Sequence, residues 1–330
     1  MSIFAGIDVS AHELTVALLQ PDQKAQLSTF EQTPASHKAL AKYLKKRKVQ
    51  QIVMEATGIY YLDAALALHA AGLTVSVINP RSAHNFARTL LESSKTDRID
   101  AVLLARYAQC MRPQPWQPPH TELLAVRDLG RRLNQLAGAK TAAQNRLHAL
   151  SSKQCTDRLL IEDVEDEIQS LERRIARLGQ AALERVKQHP ELHRMHQILI
   201  SATGIAQTSA IKLIAELCLL DRSMTSKQVS RHAGLSVRLS ESGTSQSKPG
   251  RLSKAGNAYL RAALFMPAMV MVQHDPIAKA HYQHLTDRGK KKIQALCAIQ
   301  RKMLTGLWAA IKSDEPFNTA KLFEIRPEKA

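Results

Sequence analysis

Aromatic side chains make up only 4% of this 330-residue chain. A protein that binds chiefly by stacking flat ligands on aromatic platforms is therefore not expected. Cysteine is scarce as well. Cys110, Cys155, Cys218 and Cys297 lie far apart and form no CxxC pair, which argues against a thiolate zinc site and fits a reduced cytoplasmic protein. Long apolar runs are missing. The longest, Ala262–Val272, is about half a bilayer span and contains Pro267, so membrane embedding is disfavoured. Met1–Ala5 lacks the basic start and apolar core of a signal peptide. His189, His193 and His196 have spacings that suit one helix face, but no Cys or acidic partner completes a ligand set. A solvated segment is expected there rather than a metal site.

Acidic residues are in the minority. The chain has 46 Lys and Arg against 29 Asp and Glu, a formal charge of +17. The excess is uneven: residues 201–300 carry 14 basic and 5 acidic side chains, whereas residues 1–100 carry 11 and 9. A localised positive field concentrates polyanions, so nucleic acid is the leading partner and an anionic membrane surface the second.

The first hundred residues alternate strand-like and helix-like segments. Ile3–Asp8 and Gln51–Glu55 are short apolar runs that each end in an acid. Leu14–Leu19 and Leu73–Ile78 are further strands, and Ser36–Lys46 and Tyr60–Ala71 read as helices. This predicts an α/β domain with helices on the faces of a sheet. Four prolines within Arg112–His120 end it. Two heptad tracts follow: Val126, Leu129, Leu133, Leu136, Lys140, Ala143, Leu147 and Leu150, then Ile161, Val164, Ile168, Leu171, Ile175 and Leu178. Both fit coiled-coil seams, with the Cys155 region as a turn between them, and serve equally as an internal hairpin or a dimerisation arm. Farther on, Ser209–Leu220, Asn257–Gln273 and Lys291–Lys312 read as helices, and the Ser- and Gly-rich segment Ser240–Ser253 as a loop.

Asp8 and Glu55 each terminate a predicted strand, and Asp97 and Asp100 are three apart, on one face if helical. Four acids brought together would repel unless a cation held them. Hard oxygen ligands suit Mg2+, and such ions can activate a nucleophile and stabilise the leaving oxygen in phosphodiester cleavage.

Several of these residues fall in a longer ordered series. It runs Gly6-Ile7-Asp8-Val9-Ser10, Met54-Glu55-Ala56-Thr57-Gly58, Val77-Ile78-Asn79-Pro80, and Lys95-Thr96-Asp97-Arg98-Ile99-Asp100-Ala101. It continues with Ala233-Gly234-Leu235, Glu241-Ser242-Gly243, Leu252-Ser253-Lys254-Ala255-Gly256 and Leu260–Ala268. In content and order it resembles the motifs of the DEDD transposases of IS110-type insertion sequences, over nearly the whole chain.

The resemblance implies an α/β RuvC-like (ribonuclease H-type) domain over residues 1–115, whose Asp8, Glu55, Asp97 and Asp100 bind Mg2+. It implies a helical coiled coil over 121–185 and a mainly α transposase domain over 195–330, in which Ser242 is the nucleophile of a phosphoserine link to DNA. It further implies donor and target DNA as partners, a guide (bridge) RNA encoded by the element, assembly from dimer to tetramer, and a place at the bacterial nucleoid. Lys248, Arg251, Lys254 and Arg261 flank the serine and are candidates for neutralising phosphates. On residue chemistry alone, Ser245, Ser247 and Ser253 are equivalent to Ser242. The sequence departs from the family where a Pro-Gly-Ile-Gly turn is common, reading Thr203-Gly204-Ile205-Ala206 instead, which weakens a phosphate-gripping role for that turn. The rival readings are a DNA invertase of the related Piv type, a Holliday-junction-type nuclease using the four acids and water, and a non-enzymatic basic nucleic-acid-binding protein.

Overall fold

The computed structural model describes residues 2–20, 23–56, 58–91, 96–242 and 246–323, with side chains described outside 239–249. The chain divides into two compact units, Met1–Pro118 and Pro119–Ala330. The break falls in the proline-rich stretch, through which no helix can run.

The first unit contains, in order, β1 (Ile3–Val9), β2 (Glu13–Leu19), β3 (Gln26–Glu31), α1 (Pro34–Lys46), β4 (Val49–Glu55), α2 (Tyr61–Ala70), β5 (Val75–Ile78), α3 (Pro80–Thr89) and α4 (Asp97–Met111). The strands form one sheet in the order β3-β2-β1-β4-β5. β2 is antiparallel to both its neighbours, while β1, β4 and β5 run parallel. The α/β expectation holds, with an antiparallel edge on a parallel centre.

β1 reads IFAGIDV, apolar on both faces, as a central strand covered by helices must be. Its alternate residues serve two cores. Ala5, Ile7 and Val9 pack with Leu40, Leu44, Ala64 and Leu68 from α1 and α2. Phe4, with Val53 of β4, packs with Leu104 and Ala108 of α4 on the opposite face. The sheet is thus the middle of three layers.

Two elements of this unit lay outside the sequence reading. β3, QLSTFE, is an edge strand of exposed and half-buried residues, so it carries little hydrophobic alternation. α3 starts where Asn79-Pro80 closes β5: the Asn79 side chain accepts a hydrogen bond from the Arg81 amide, and Pro80 sits in the first turn. The residues that stop a strand are also good helix openers.

The second unit contains α5 (Thr121–Ser151), α6 (Arg158–Gln188), α7 (Pro190–Ile200), α8 (Gln207–Leu217), α9 (Ser226–His232), β6 (Val237–Ser242), β7 (Gln246–Leu252), α10 (Ala258–His274), α11 (Pro276–Asp287), α12 (Lys292–Ser313) and α13 (Thr319–Leu322). The two heptad stripes lie on α5 and α6 and face each other within the chain. Leu136, Ala143, Val164 and Leu171 form one buried cluster with Leu147, Ile168 and Leu178 packed against it. Leu133, Ala182 and Leu183 form another with Ile211 of α8. Lys140, the polar member of the first stripe, places its Nζ 2.7 Å from Glu172 of α6. The main core lies among α7, α8, α10 and α12 around Trp308, whose Nε1 donates to the Met224 carbonyl at 2.8 Å.

The segment read as a loop, Ser240–Ser253, is largely the two-stranded hairpin β6–β7. Its apolar residues are confined to the base, where Val237 pairs with Leu252, so the polar remainder gave no strand signal. The turn before α8 explains the departure at Ala206. That residue has φ −85°, which any amino acid adopts, whereas Gly204 has φ +92° and lies against α10, where an added Cβ would come within 2.5 Å of the Pro267 carbonyl oxygen. Among the described residues, no helix is long and apolar enough to cross a membrane.

Candidate active site

The four acids of the first unit are gathered by the sheet and by one helix packed on it. β1 and β4 run parallel with Ile7 paired to Met54, so Asp8 and Glu55 follow as neighbours at the carboxyl ends of adjacent strands. Asp8 shares the parity of Phe4, and Glu55 that of Val53; both lie on the α4 side of the sheet. α4 delivers the other two from its first turn, where the Thr96 hydroxyl caps the helix by accepting from the Ile99 amide. Carboxylates at a helix amino terminus are favoured by its dipole.

A glycine brings this helix close enough. An ideal Cβ on Gly6 would lie 2.1 Å from the Ala101 carbonyl oxygen and 2.2 Å from the Ala105 amide nitrogen. Ala17, Ala101 and Ala105 are fully buried in this contact. Glycine on the strand and alanines on the helix allow backbone to rest on backbone, so the first turn of α4 reaches the strand end that carries Asp8.

The result is electrostatic tension. Burial, and then the charges of Asp100, Asp97 and Glu55, push Asp8 up to about 6. Three carboxylates distant in sequence thus act on a fourth. The donor set fits a hard divalent cation in kind, since all four are carboxylates and their mutual repulsion is what such an ion relieves. As positioned, no three Asp, Glu, His or Cys side chains among the described residues are close enough together to hold one ion. His189, His193 and His196 likewise form no such group, but the segment is not solvated as expected: α7 packs into the main core through Leu192, Met195, Ile198 and Leu199, and His196 is buried with them.

In the second unit, Ser242 ends β6 and pairs with Gln246; its side chain and those of Glu241 and Lys248 lie outside the described residues, as do Gly243, Thr244 and Ser245. Arg251 and Lys254 are exposed. Arg261 is partly committed to the fold: its Nη1 donates to the Ala233 and Gly256 carbonyls at 2.8 and 3.2 Å. The hairpin register adds a residue that the sequence reading did not single out. Arg238 pairs directly with Arg251, and both are exposed. Like charges facing each other across a ladder are unfavourable unless an anion lies between them. Only the register reveals this pair.

The loop after β7 is tied down by a buried carboxylate. Glu216 of α8, 4% exposed, accepts from Arg131 of α5 at 2.7 and 3.0 Å, and from the side-chain amide of Asn257 at 2.5 Å. Asn257 in turn caps α10.

Comparison with known proteins covers both units. A model of the IS110-type DEDD transposase, described as transposase, matches residues 5–152; a second, described as transposase of the IS116/IS110/IS902 family, matches residues 196–283. The pilin gene-inverting protein of Moraxella bovis is 31% identical over 276 residues, covering 81% of this chain and 81% of its own. The chain belongs to the IS110-type transposase family. A probable family 20 transposase of Pseudomonas aeruginosa is 26% identical over 297 residues, covering 80% of this chain and 84% of its own. The solved RuvC structure of Thermus thermophilus matches 34% of this chain and 99% of its own, at 16% identity and a TM-score of 0.26. The first transposase match contains all four acids, and the second contains Ser242.

Proposed function

We propose that this IS110-family protein is a DNA transposase that cuts and rejoins strands through a phosphoserine intermediate. Asp8, Glu55, Asp97 and Asp100 are its divalent-cation ligands, Mg2+ first among the candidates, and Ser242 is its nucleophile. The observation that carries the reading is the placement of Asp8 and Glu55 at the carboxyl ends of adjacent parallel strands, with the first turn of α4, which holds Asp97 and Asp100, packed beside them. Isolated surface acids do not arrange themselves so, and an α/β structural domain has no use for the repulsion.

A serine hydroxyl is a weak nucleophile and needs activation. When bound, the cation supplies Lewis acidity to the scissile phosphate and charge neutralisation at the carboxylates. The chain's own residues do the rest. The Ser242 oxygen attacks phosphorus, an Oγ–P bond forms, one bridging P–O bond breaks, and the released strand oxygen takes up the proton that the serine loses. Attack by a strand hydroxyl on the phosphoserine reverses the sequence and joins DNA to DNA. Arg238, Arg251 and Lys254 hold phosphates near the hairpin as point charges. The acids belong to the first unit and the serine to the second, and the family resemblance implies that separate subunits of a dimer or tetramer contribute them. A bridge RNA choosing donor and target DNA agrees with the scarcity of aromatic readers.

Incubation with DNA and the RNA that copurifies with the protein should yield a protein–DNA adduct, absent in Ser242→Ala and in Asp8→Ala. An adduct that survives both changes sinks the mechanism. The likeness to the pilin gene-inverting protein favours a second reading, inversion of a fixed DNA segment by the same chemistry. Inverted repeats bounding a reversible segment beside the gene would select it.

A further inference from the structure

A cleft of about 410 Å3 opens between the amino-terminal ends of α1 and α2, at the sheet edge where Asp8 and Glu55 lie but on the other face. Two exposed apolar residues stand over it: Ile59 at 69% and Tyr60 at 49% exposure. They sit in the turn that follows Glu55, where Gly58 takes φ +61°.

This turn is fastened to its surroundings. The Gln32 side-chain amide donates to the Ser10 carbonyl at 3.1 Å and to the Tyr60 carbonyl at 3.0 Å, joining the loop after Asp8 to the loop after Glu55. Its Oε1 meets Nε2 of the buried His37 at 2.8 Å. An exposed aromatic ring carried on a tethered turn is unusual in a chain with so few aromatics. The tether holds the backbone that carries the ring, so the turn itself has little freedom to lose on binding.

The chemistry of the cleft selects its ligand. Pro34 contributes an apolar wall, while Lys38 and Asp63 set opposite charges at the rim. A phosphate would meet Asp63 unfavourably, whereas a flat neutral group with donors and acceptors on its edge meets an aromatic face, an apolar wall and both kinds of polar partner. We propose that this cleft takes one unpaired nucleobase from the strand led to the acidic site, with Tyr60 as its stacking platform and Gln32 as the tie that holds the platform in place. A base inside a duplex cannot reach sideways into such a cleft, so the ligand is a base already out of its stack.

The proposal rests on the reading of the chain as a nucleic-acid recombinase. Its test uses the full-length protein and a single-stranded oligonucleotide carrying one 2-aminopurine, in deoxy and ribo versions, with a duplex of the same sequence alongside. Binding should quench the 2-aminopurine. Tyr60→Ala should abolish the quench and weaken single-strand binding about 5- to 150-fold, the range of one base–aromatic stack. Tyr60→Phe should keep both, and duplex affinity should be the same in all three proteins. Quenching by the deoxy strand assigns the base to DNA; quenching by the ribo strand alone assigns it to RNA. Wild-type quenching and affinity in Tyr60→Ala, with duplex binding intact, overturn the cleft alone. A wild-type protein that binds neither strand nor duplex overturns the recombinase reading with it.

Discussion

Arg131 and Glu216, on α5 and α8, meet as a fork: the guanidinium Nε and Nη2 donate to the two carboxylate oxygens at 2.7 and 3.0 Å. The hydrogen bond to Glu216 holds Arg131 above its already high ordinary range. Removing the arginine leaves a buried carboxylate with too few partners. Arg131→Ala should therefore destabilise the second unit by about 3–5 kcal/mol, and adding Glu216→Gln should restore part of the loss. Urea unfolding followed by circular dichroism measures both, and a loss below about 1 kcal/mol would show that solvent already supports the glutamate.

Gly6 should tolerate no side chain. The atoms that its Cβ would strike, the Ala101 oxygen and the Ala105 nitrogen, belong to backbone and cannot rotate away. Gly6→Ala should cost about 3 kcal/mol or more. A melting temperature within about 2 °C of wild type would refute the close approach.

Asp8 should weaken the metal-free fold at neutral pH. Its ordinary value is 3.8 and its folded value about 6, so the folded state keeps the proton across that window, and stability falls as pH rises through it. A shift of that size corresponds to about 3 kcal/mol unscreened, and solvent at the half-buried site reduces it to about 1–2 kcal/mol. In EDTA, Asp8→Asn should be more stable than wild type at pH 7.5 and no more stable at pH 4. Mg2+ should then raise the wild-type melting temperature and leave that of Asp8→Asn unchanged. Equal pH profiles for the two proteins would contradict the clustering of acids.

Lys140 occupies a seam position of the α5–α6 hairpin, and its bond to Glu172 is half exposed. Such a pair is worth about 0–1 kcal/mol. Lys140→Leu should match or exceed wild-type stability, as read by thermal melting. A clear loss would mean that the ion pair sets the register of the two helices.

Much of this was legible in the residues. Ile3–Asp8 and Gln51–Glu55 are apolar on both faces, as buried parallel strands must be, and the acid ending each run marked the sheet edge. The heptads forecast two long helices because period and length agree over several turns. What was hidden depends on pairing at long range. β3 has a polar edge pattern, Arg238 gains meaning only opposite Arg251, and Gln32 is unremarkable until it spans the turns at Ser10 and Tyr60. Gly6 reads as an ordinary strand glycine until α4 lies upon it.

That seat of α4 also governs where two of the acids stand. The helix is clamped to β1 at Ala101 and Ala105, whereas Asp97 and Asp100 precede the clamp. Its first turn therefore projects past the clamp, beside the strand end that carries Asp8. The position of the two carboxylates is thus fixed by small residues that carry no charge themselves: Gly6, Ala101 and Ala105.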